Sequence, residues 1–306
     1  MHPNNPAKID NILVLGAGEL GMAVLRELAA RPAARISVML RPSTLDTLSA
    51  DKHQTQLELQ ALGIEVLPGD AVNDSEDQLA AMFSGFDTLV SCLGFVAGAG
   101  TQLKLARAAL QSDVKRFVPW QFGVDYDVIG RGSPQDLFDE QLDVRHLLRN
   151  QSRVQWLIIS TGMFTSFLFE PSFGVVDLSQ NTVRALGSWD TAVTVTTSED
   201  IGRLTASILF EPTLVNQVVY TAGDTLTYGQ LADTVDRLLD RTVERIEWTI
   251  PALQASLAAA PSDPARKYRA VFAQGNGVAW DKARSYNAER QIETTTVAQW
   301  IERHLL

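Results

Sequence analysis

A single cysteine, Cys92, stands in a chain of 306 residues. No internal disulfide can form, and no cysteine-based zinc site can be assembled. Histidine is almost as scarce: His2, His53, His146 and His304 are scattered and no HExxH occurs, so no metal centre is expected. No apolar run reaches the roughly 18 residues that a membrane span needs. Residues 1–10 (MHPNNPAKID) are polar and proline-bearing and hold no apolar stretch of the signal-peptide kind. Positive charge is in deficit, 26 Lys and Arg against 36 Asp and Glu, for a net −10. That balance disfavours non-specific nucleic-acid binding, which needs clustered cations against phosphate. A cytoplasmic protein is expected, with neither a membrane nor a nucleic acid as partner. The oligomeric state is left open between monomer and homodimer. Apolar residues make up 45% of the chain, enough for a sizeable core.

The first half alternates strand-like and helix-like segments. Asn11–Leu15, Ile36–Leu40, Glu65–Leu67, Thr88–Leu93, Arg116–Pro119 and Gln155–Ser160 read as strands, several of them continuously apolar. Between them, Glu19–Ala30, Thr47–Leu62, Asp74–Phe83, Gln102–Gln111 and Phe138–Asn150 read as helices. This alternation predicts an α/β fold, a doubly wound parallel sheet covered on both faces. Beyond about residue 160 the pattern loosens into turns and short strands around Thr182–Thr196, then a helix opening at Thr197 with Asp200 three residues on, an approximate capping box. Val218–Tyr220 is a short strand that could return to the first sheet. Tyr228–Leu239, Ala252–Ala260, Arg266–Phe272 and Thr295–Leu306 read as helices. The expected division is a Rossmann domain over residues 1–160 and a smaller α+β lobe, mainly for substrate, over residues 161–306.

The sharpest motif is VLGAGELG, which places Gly16, Gly18 and Gly21 in GxGxxG spacing directly after the first strand and at the mouth of the first helix. Gly16 permits the tight turn, Gly18 lets backbone approach a pyrophosphate, and Gly21 lets helix pack closely on strand. The helix start at Glu19 and Leu20 then offers N–H groups and a positive dipole end to phosphate. About 20 residues on, where an NAD-binding chain usually has Asp or Glu, stands Arg41. A guanidinium there suits a 2′-phosphate, so NADPH is favoured over NADH. Ser91, Leu93 and Gly94 close the fourth strand and border the same crevice at the carboxyl ends of the strands. Asp70, in a lone Gly-Asp pair after the third strand, reads as a turn residue.

Beyond this loop, Arg41, the block Val114–Asp125 (VKRFVPWQFGVD), the helix Phe138–Arg149 (FDEQLDVRHLLR), the segment Ser160–Phe164 (STGMF) and Ser198–Leu204 (SEDIGRL) are shared features. With them the chain resembles the NmrA-like and isoflavone-reductase-like branch of atypical short-chain dehydrogenases over most of its length. The resemblance implies an NADPH-binding Rossmann domain and a C-terminal domain that completes a substrate cleft. It implies reduction of small phenylpropanoid-type aromatic compounds, such as lignans, isoflavones and phenolic esters, at an electrophilic carbon. Other members are redox-sensing regulators that bind dinucleotide without catalysis. Phe164 matches a phenylalanine that stacks near the nicotinamide. Trp120, Phe122, Met163 and Phe167 are candidates for lining an aromatic substrate site, with core packing as the alternative, at least for Phe167.

One departure bears on chemistry. Tyr126, Tyr220, Tyr228, Tyr268 and Tyr286 are followed four residues on by Gly130, Asp224, Ala232, Phe272 and Arg290, so no YxxxK pair exists. The reductase branch instead carries a lysine in K-x-x-V-R, and the matching residue here is Gln141. An amide hydrogen-bonds through both ends but cannot act as a general acid or base. Three readings stay open: Gln141 orients a reaction that needs little proton management, the chain is a non-catalytic NADP(H) sensor, or water or another residue, with Tyr126, His146 and Trp120 as candidates, supplies the proton.

Overall fold

The computed structural model describes residues 10–45 and 49–306. Six strands of the first part are β1 (Asp10–Leu15), β2 (Ala34–Leu40), β3 (Glu65–Pro68), β4 (Thr88–Ser91), β5 (Arg116–Val118) and β6 (Gln155–Ser160). Further along come β7 (Met163–Phe164), β8 (Val176–Asp177), β9 (Thr182–Leu186), β10 (Ala192–Thr196), β11 (Gln217–Tyr220), β12 (Asp224–Thr227) and β13 (Glu244–Trp248). The helices used below are α1 (Glu19–Ala29), α2 (Pro42–Leu45), α3 (Ala50–Ala61), α4 (Glu76–Phe83), α5 (Thr101–Gln111), α6 (Tyr126–Ile129), α7 (Leu137–Arg149) and α8 (Ser198–Leu209).

A seven-stranded parallel sheet runs in the order β11-β6-β5-β4-β1-β2-β3. This is the doubly wound Rossmann arrangement, and its order reverses between β1 and β4. The central strands are sealed on both faces: Ile12, Leu13, Val14 and Leu15 of β1 and Leu89 and Val90 of β4 are fully buried. That is why they are written as unbroken apolar runs rather than in alternation. The segment around Val218 does return to this sheet, as β11 on its edge beside β6. Two three-stranded sheets, β12-β10-β7 and β13-β9-β8, make up the rest of the strand structure.

Two compact units result, and each is discontinuous in sequence. The first comprises residues 1–120, 143–158 and 201–218, and the second residues 121–142, 159–200 and 219–306. The first unit recruits α8 through a contact only glycine allows. A Cβ on Gly202 would lie 2.5 Å from the carbonyl carbon and oxygen of Ala23 on α1. α1 is itself buried through Leu20, Met22, Ala23, Val24, Leu25 and Leu28.

Helix limits follow their caps. α4 starts at Glu76 because Ser75 and Gln78 form a capping box. The helix expected from Thr47 is described only from Ala50, and its first residues lie outside the described segments. At the start of α8 the Thr197 hydroxyl accepts from the Asp200 N–H (3.2 Å), while the Asp200 carboxylate accepts from the Thr295 N–H (2.6 Å). β13 has no counterpart among the expected strands. Its residues, Glu-Arg-Ile-Glu-Trp, are mostly charged and part-exposed, and it is held by pairing with β9 along one edge.

Among the described residues, no helix is long and apolar enough to cross a membrane. Nor do three or more His, Cys, Asp or Glu side chains gather to hold a metal ion.

The Ala23–Gly202 approach generates a stability prediction. Gly202→Ala should lower the unfolding free energy by about 1–3 kcal/mol, the usual cost of overpacking. Thermal unfolding checks it, and an unchanged midpoint would count against the contact as a fold determinant.

Candidate functional site

In the first unit, the turn between β1 and α1 separates its glycines by cause. Gly16 has φ +90°, and a Cβ on it would come within 2.7 Å of Leu93 Cδ2. Its N–H donates to the Met39 carbonyl at 3.1 Å, tying the turn to the end of β2. A Cβ on Gly21 would lie 2.2 Å from the Gly16 carbonyl oxygen, inside any tolerable contact. Gly18 is different. Its φ of −73° suits any residue, and a Cβ there would meet nothing within 4 Å. The protein's own packing therefore does not demand glycine at 18. Gly18 is also the N-cap of α1, and no side chain caps that helix. The room at Gly18 therefore lies at the N-terminus of α1, the kind of helix end that receives phosphate.

Arg41 follows the last residue of β2 directly and is exposed. Its charge reaches Asp70. Burial pushes the Asp70 carboxyl up, but hydrogen bonds from the Asn73 side chain and from the Val72 and Asn73 N–H groups, with the Arg41 charge, outweigh it and hold the carboxyl below its usual range. Asp70 Oδ1 accepts from the Val72 N–H at 2.9 Å, so it organises the turn after β3. The donor-rich guanidinium of Arg41 fits a phosphate monoester better than a ribose hydroxyl.

The end of β4 makes the neighbouring wall. Ser91 is fully buried, and its hydroxyl has no hydrogen-bond partner among the described residues. Leu93 presents its carbonyl to Gln102 Nε2 at 2.8 Å. A Cβ on Gly94 would sit 3.1 Å from Trp120 Cζ2, and Trp120 meets Phe95 edge-on at 4.6 Å between centroids. Burial pushes the Cys92 thiol up, which leaves it unreactive.

The second unit brings together two of the sequence blocks. The Gly123 carbonyl accepts from both the Thr161 and the Gly162 N–H, each at 3.0 Å, which joins the FGVD and STGMF segments. Gly162 has φ +72°, and a Cβ on it would lie 2.1 Å from the Thr194 carbonyl oxygen. That close approach lets Met163 and Phe164 pair with Val195 and Thr196. Met163 and Phe122 are buried, whereas Phe164 is half-buried. Phe167 stacks on Phe173 at 4.5 Å and meets Tyr268 edge-on at 5.8 Å, so packing accounts for much of its surface.

Gln141 lies on α7 and is 0% exposed, and neither end of its amide has a partner among the described residues. Gln121, which lies in the Val114–Asp125 block but is not among the expected site residues, is also buried, and its Nε2 donates to the Gln141 backbone carbonyl at 2.9 Å. The helix is thus held by its backbone while the Gln141 side chain is left uncommitted. Among the other proton-donor candidates, His146 is exposed on the last turn of α7. Trp120 carries an indole N–H that only donates. Tyr126 is a buried phenol edge-on to Phe138 at 5.0 Å.

The comparisons with known proteins agree with this architecture. Residues 8–278 match the NmrA-like family. An "NmrA-like family domain-containing oxidoreductase" of Gibberella moniliformis is 48% identical over 298 residues, covering 96% of this chain and 97% of that protein. Phenylcoumaran benzylic ether reductase 1 of Arabidopsis thaliana is 25% identical over 242 residues, 77% of this chain and 76% of that one. A solved structure of AtPrR2 with NADP+ and (+)-pinoresinol superimposes with a TM-score of 0.78 at 19% identity, covering 96% of this chain and 98% of that chain, and so shares its fold. With a family match across most of its length and a relative close to half identical from end to end, the chain belongs to the NmrA-like family.

Proposed function

We propose that the protein is an NADPH-dependent reductase that transfers hydride to a small aromatic, phenylpropanoid- or lignan-like, carbonyl, enone or quinone methide. The observation that carries this reading is the β1–α1 turn. Gly16 and Gly21 are glycines for reasons internal to the fold, and Gly18 is not. The space it keeps lies before a helix N-terminus without a side-chain cap, where a pyrophosphate is favoured. The names of the relatives, an oxidoreductase and a benzylic ether reductase, and the NADP+ bound by a structural neighbour support the same reading.

In this reading Gly16, Gly18, Glu19, Leu20 and Gly21 hold the pyrophosphate through backbone, and Arg41 takes the 2′-phosphate. Ser91, Leu93 and Gly94 border the dinucleotide, with Phe164 against the nicotinamide. When bound, NADPH supplies the hydride. Gln141 orients a ribose hydroxyl or a substrate oxygen by donating from one end of its amide and accepting at the other. It moves no proton. That suits an acceptor such as a quinone methide, whose reduction restores aromaticity, so that positioning contributes most of the acceleration. Trp120, Phe122, Met163 and Phe167 supply apolar and aromatic surface for a flat substrate.

A second reading, a non-catalytic NADP(H) sensor, is favoured by the same Gln141, because the residue at the family's lysine position carries no ionisable group. One assay separates the two. Absorbance at 340 nm should fall steadily when NADPH is mixed with a panel of aromatic enones, aldehydes and quinone methides. Saturable NADPH binding without turnover of any of them sets the reductase aside in favour of the sensor.

Cofactor choice is tested by Arg41→Glu. NADPH affinity should fall by about 10- to 100-fold, the worth of lost charge-assisted hydrogen bonds to phosphate, with NADH affinity altered much less. Equal losses for both would refute Arg41 as the selector. Gln141→Lys should leave NADPH binding intact and change kcat by about tenfold or more, the scale of a gained or misplaced acid–base group. An unaltered kcat would show that the position is chemically silent.

A further inference from the structure

Of the chain's asparagines, only Asn276 is followed by a glycine. It is exposed in the loop after the helix Pro264–Phe272, between Gly275 and Gly277. Neither its amide nor the Gly277 N–H makes a hydrogen bond among the described residues. Asparagine is a thermolabile residue, and the cause is local. Its side-chain carbonyl carbon is one ring closure away from the backbone nitrogen of the next residue. A side chain on that residue hinders the closure, and glycine has none.

The segment that follows is firmly held. Gly277 is buried at φ +69°, and a Cβ on it would lie 2.7 Å from the Asp125 carbonyl oxygen and 2.8 Å from Ile129 Cγ1. Its own carbonyl accepts from the Asp125 N–H at 2.8 Å, and the Val278 carbonyl accepts from the Thr194 N–H at 3.0 Å. The Trp280 N–H donates to the Thr194 hydroxyl at 3.0 Å, and its indole N–H donates to the Thr221 carbonyl at 3.1 Å. Residues 277–280 are therefore a strap. It fastens the FGVD segment at one end and β10, the strand that pairs with Met163 and Phe164, along the rest. All of these residues lie in the second unit.

We propose that Asn276 is a site of spontaneous conversion to isoaspartate, and that the conversion unfastens the strap. The Gly277 nitrogen gives up its proton to base and attacks Asn276 Cγ. A C–N bond forms, the side-chain nitrogen takes up a proton and leaves as ammonia, and a succinimide remains. Water then adds to one of the two ring carbonyls. Addition at Cγ gives an ordinary aspartyl-glycyl link. Addition at the α-carbonyl carbon frees an α-carboxylate and carries the main chain through Cβ and Cγ. Water is the one co-reactant, and no electron changes hands. The isoaspartyl link adds a carbon to the backbone directly before Gly277, where the contacts with Asp125 and Ile129 leave no slack. The hydrogen bond between the Gly277 carbonyl and the Asp125 N–H is the first to be disturbed, and the FGVD segment loosens with it.

The test holds the wild-type protein in warm, mildly alkaline buffer. Its peptides are then mapped by mass and by an endoproteinase that cleaves before aspartate but not before isoaspartate. Asn276 should convert ahead of every other asparagine, with isoaspartate among the products. The converted protein should unfold about 2–4 °C lower, the scale of a lost hydrogen bond. Two variants separate the causes. Asn276→Gln, whose closure needs a larger ring, should keep its mass and midpoint through the same treatment. Asn276→Asp, measured fresh, carries the charge without the added carbon and should match the untreated wild-type midpoint, as exposed substitutions usually do. An Asn276 that stays intact while other asparagines convert overturns the proposal, as does a midpoint that survives its conversion. So does an equal fall in treated Asn276→Gln or in fresh Asn276→Asp, which would place the cause outside the backbone at 276. None of these readouts involves NADPH or turnover, so the reductase reading stands or falls separately.

Discussion

The first unit depends on one contact, the seating of Gly21 on the carbonyl oxygen of Gly16. With any side chain at 21, a Cβ would stand 2.2 Å from that oxygen and α1 would be driven off β1. With Gly16 at φ +90°, the chain turns sharply enough to bring the helix back over the strand it has just left. The rest follows from that seating. The start of α1 is aimed to the carboxyl ends of β1 and β4, where the sheet reverses its order. The inner face of α1 closes over the sheet, and its other side accepts Gly202 of α8 against Ala23. Close backbone approach is thus repeated from strand to helix and from helix to helix, and each step needs a residue without a Cβ.

The second unit obeys a comparable constraint. Gly162 approaches the Thr194 carbonyl, and Gly123 offers one carbonyl to two N–H groups. These contacts hold Met163 and Phe164 on β10 and place the FGVD segment beside them. Against this backbone the side chains of Gln135 and Gln141 stand out, since they are buried without hydrogen-bond partners among the described residues. Stability alone would replace them with apolar residues, as unsatisfied buried amides oppose folding.

The sheet was legible because its strands are enclosed on both faces, and enclosure leaves a continuous apolar run in the sequence, as in Asn11–Leu15 and Thr88–Ser91. Helix α1 was legible from its apolar periodicity and the glycine turn before it. β13 was not, because a half-exposed strand that pairs through backbone need not show apolar side chains. The division into two units follows packing rather than composition. Residues 201–218 join the first unit and residues 121–142 the second because of where they pack, and no change in composition marks those crossings.

The same distinction runs through the site. Gly16, Gly18, Gly21 and Arg41 could be singled out from the chain because their roles are local: a turn, a helix start and the end of a strand. Gln141 stood out only as the residue at a family's lysine position. Gln135 left no mark at all, since a Ser-Pro-Gln-Asp stretch looks like any polar turn and burial is a property of what surrounds it. By itself, then, the sequence determined the α/β alternation, the glycine turn between β1 and α1 and the cation after β2, all of which depend on neighbours a few residues apart. Only the tertiary structure decided which polar side chains were enclosed without partners, because desolvation depends on segments far apart in the chain coming together.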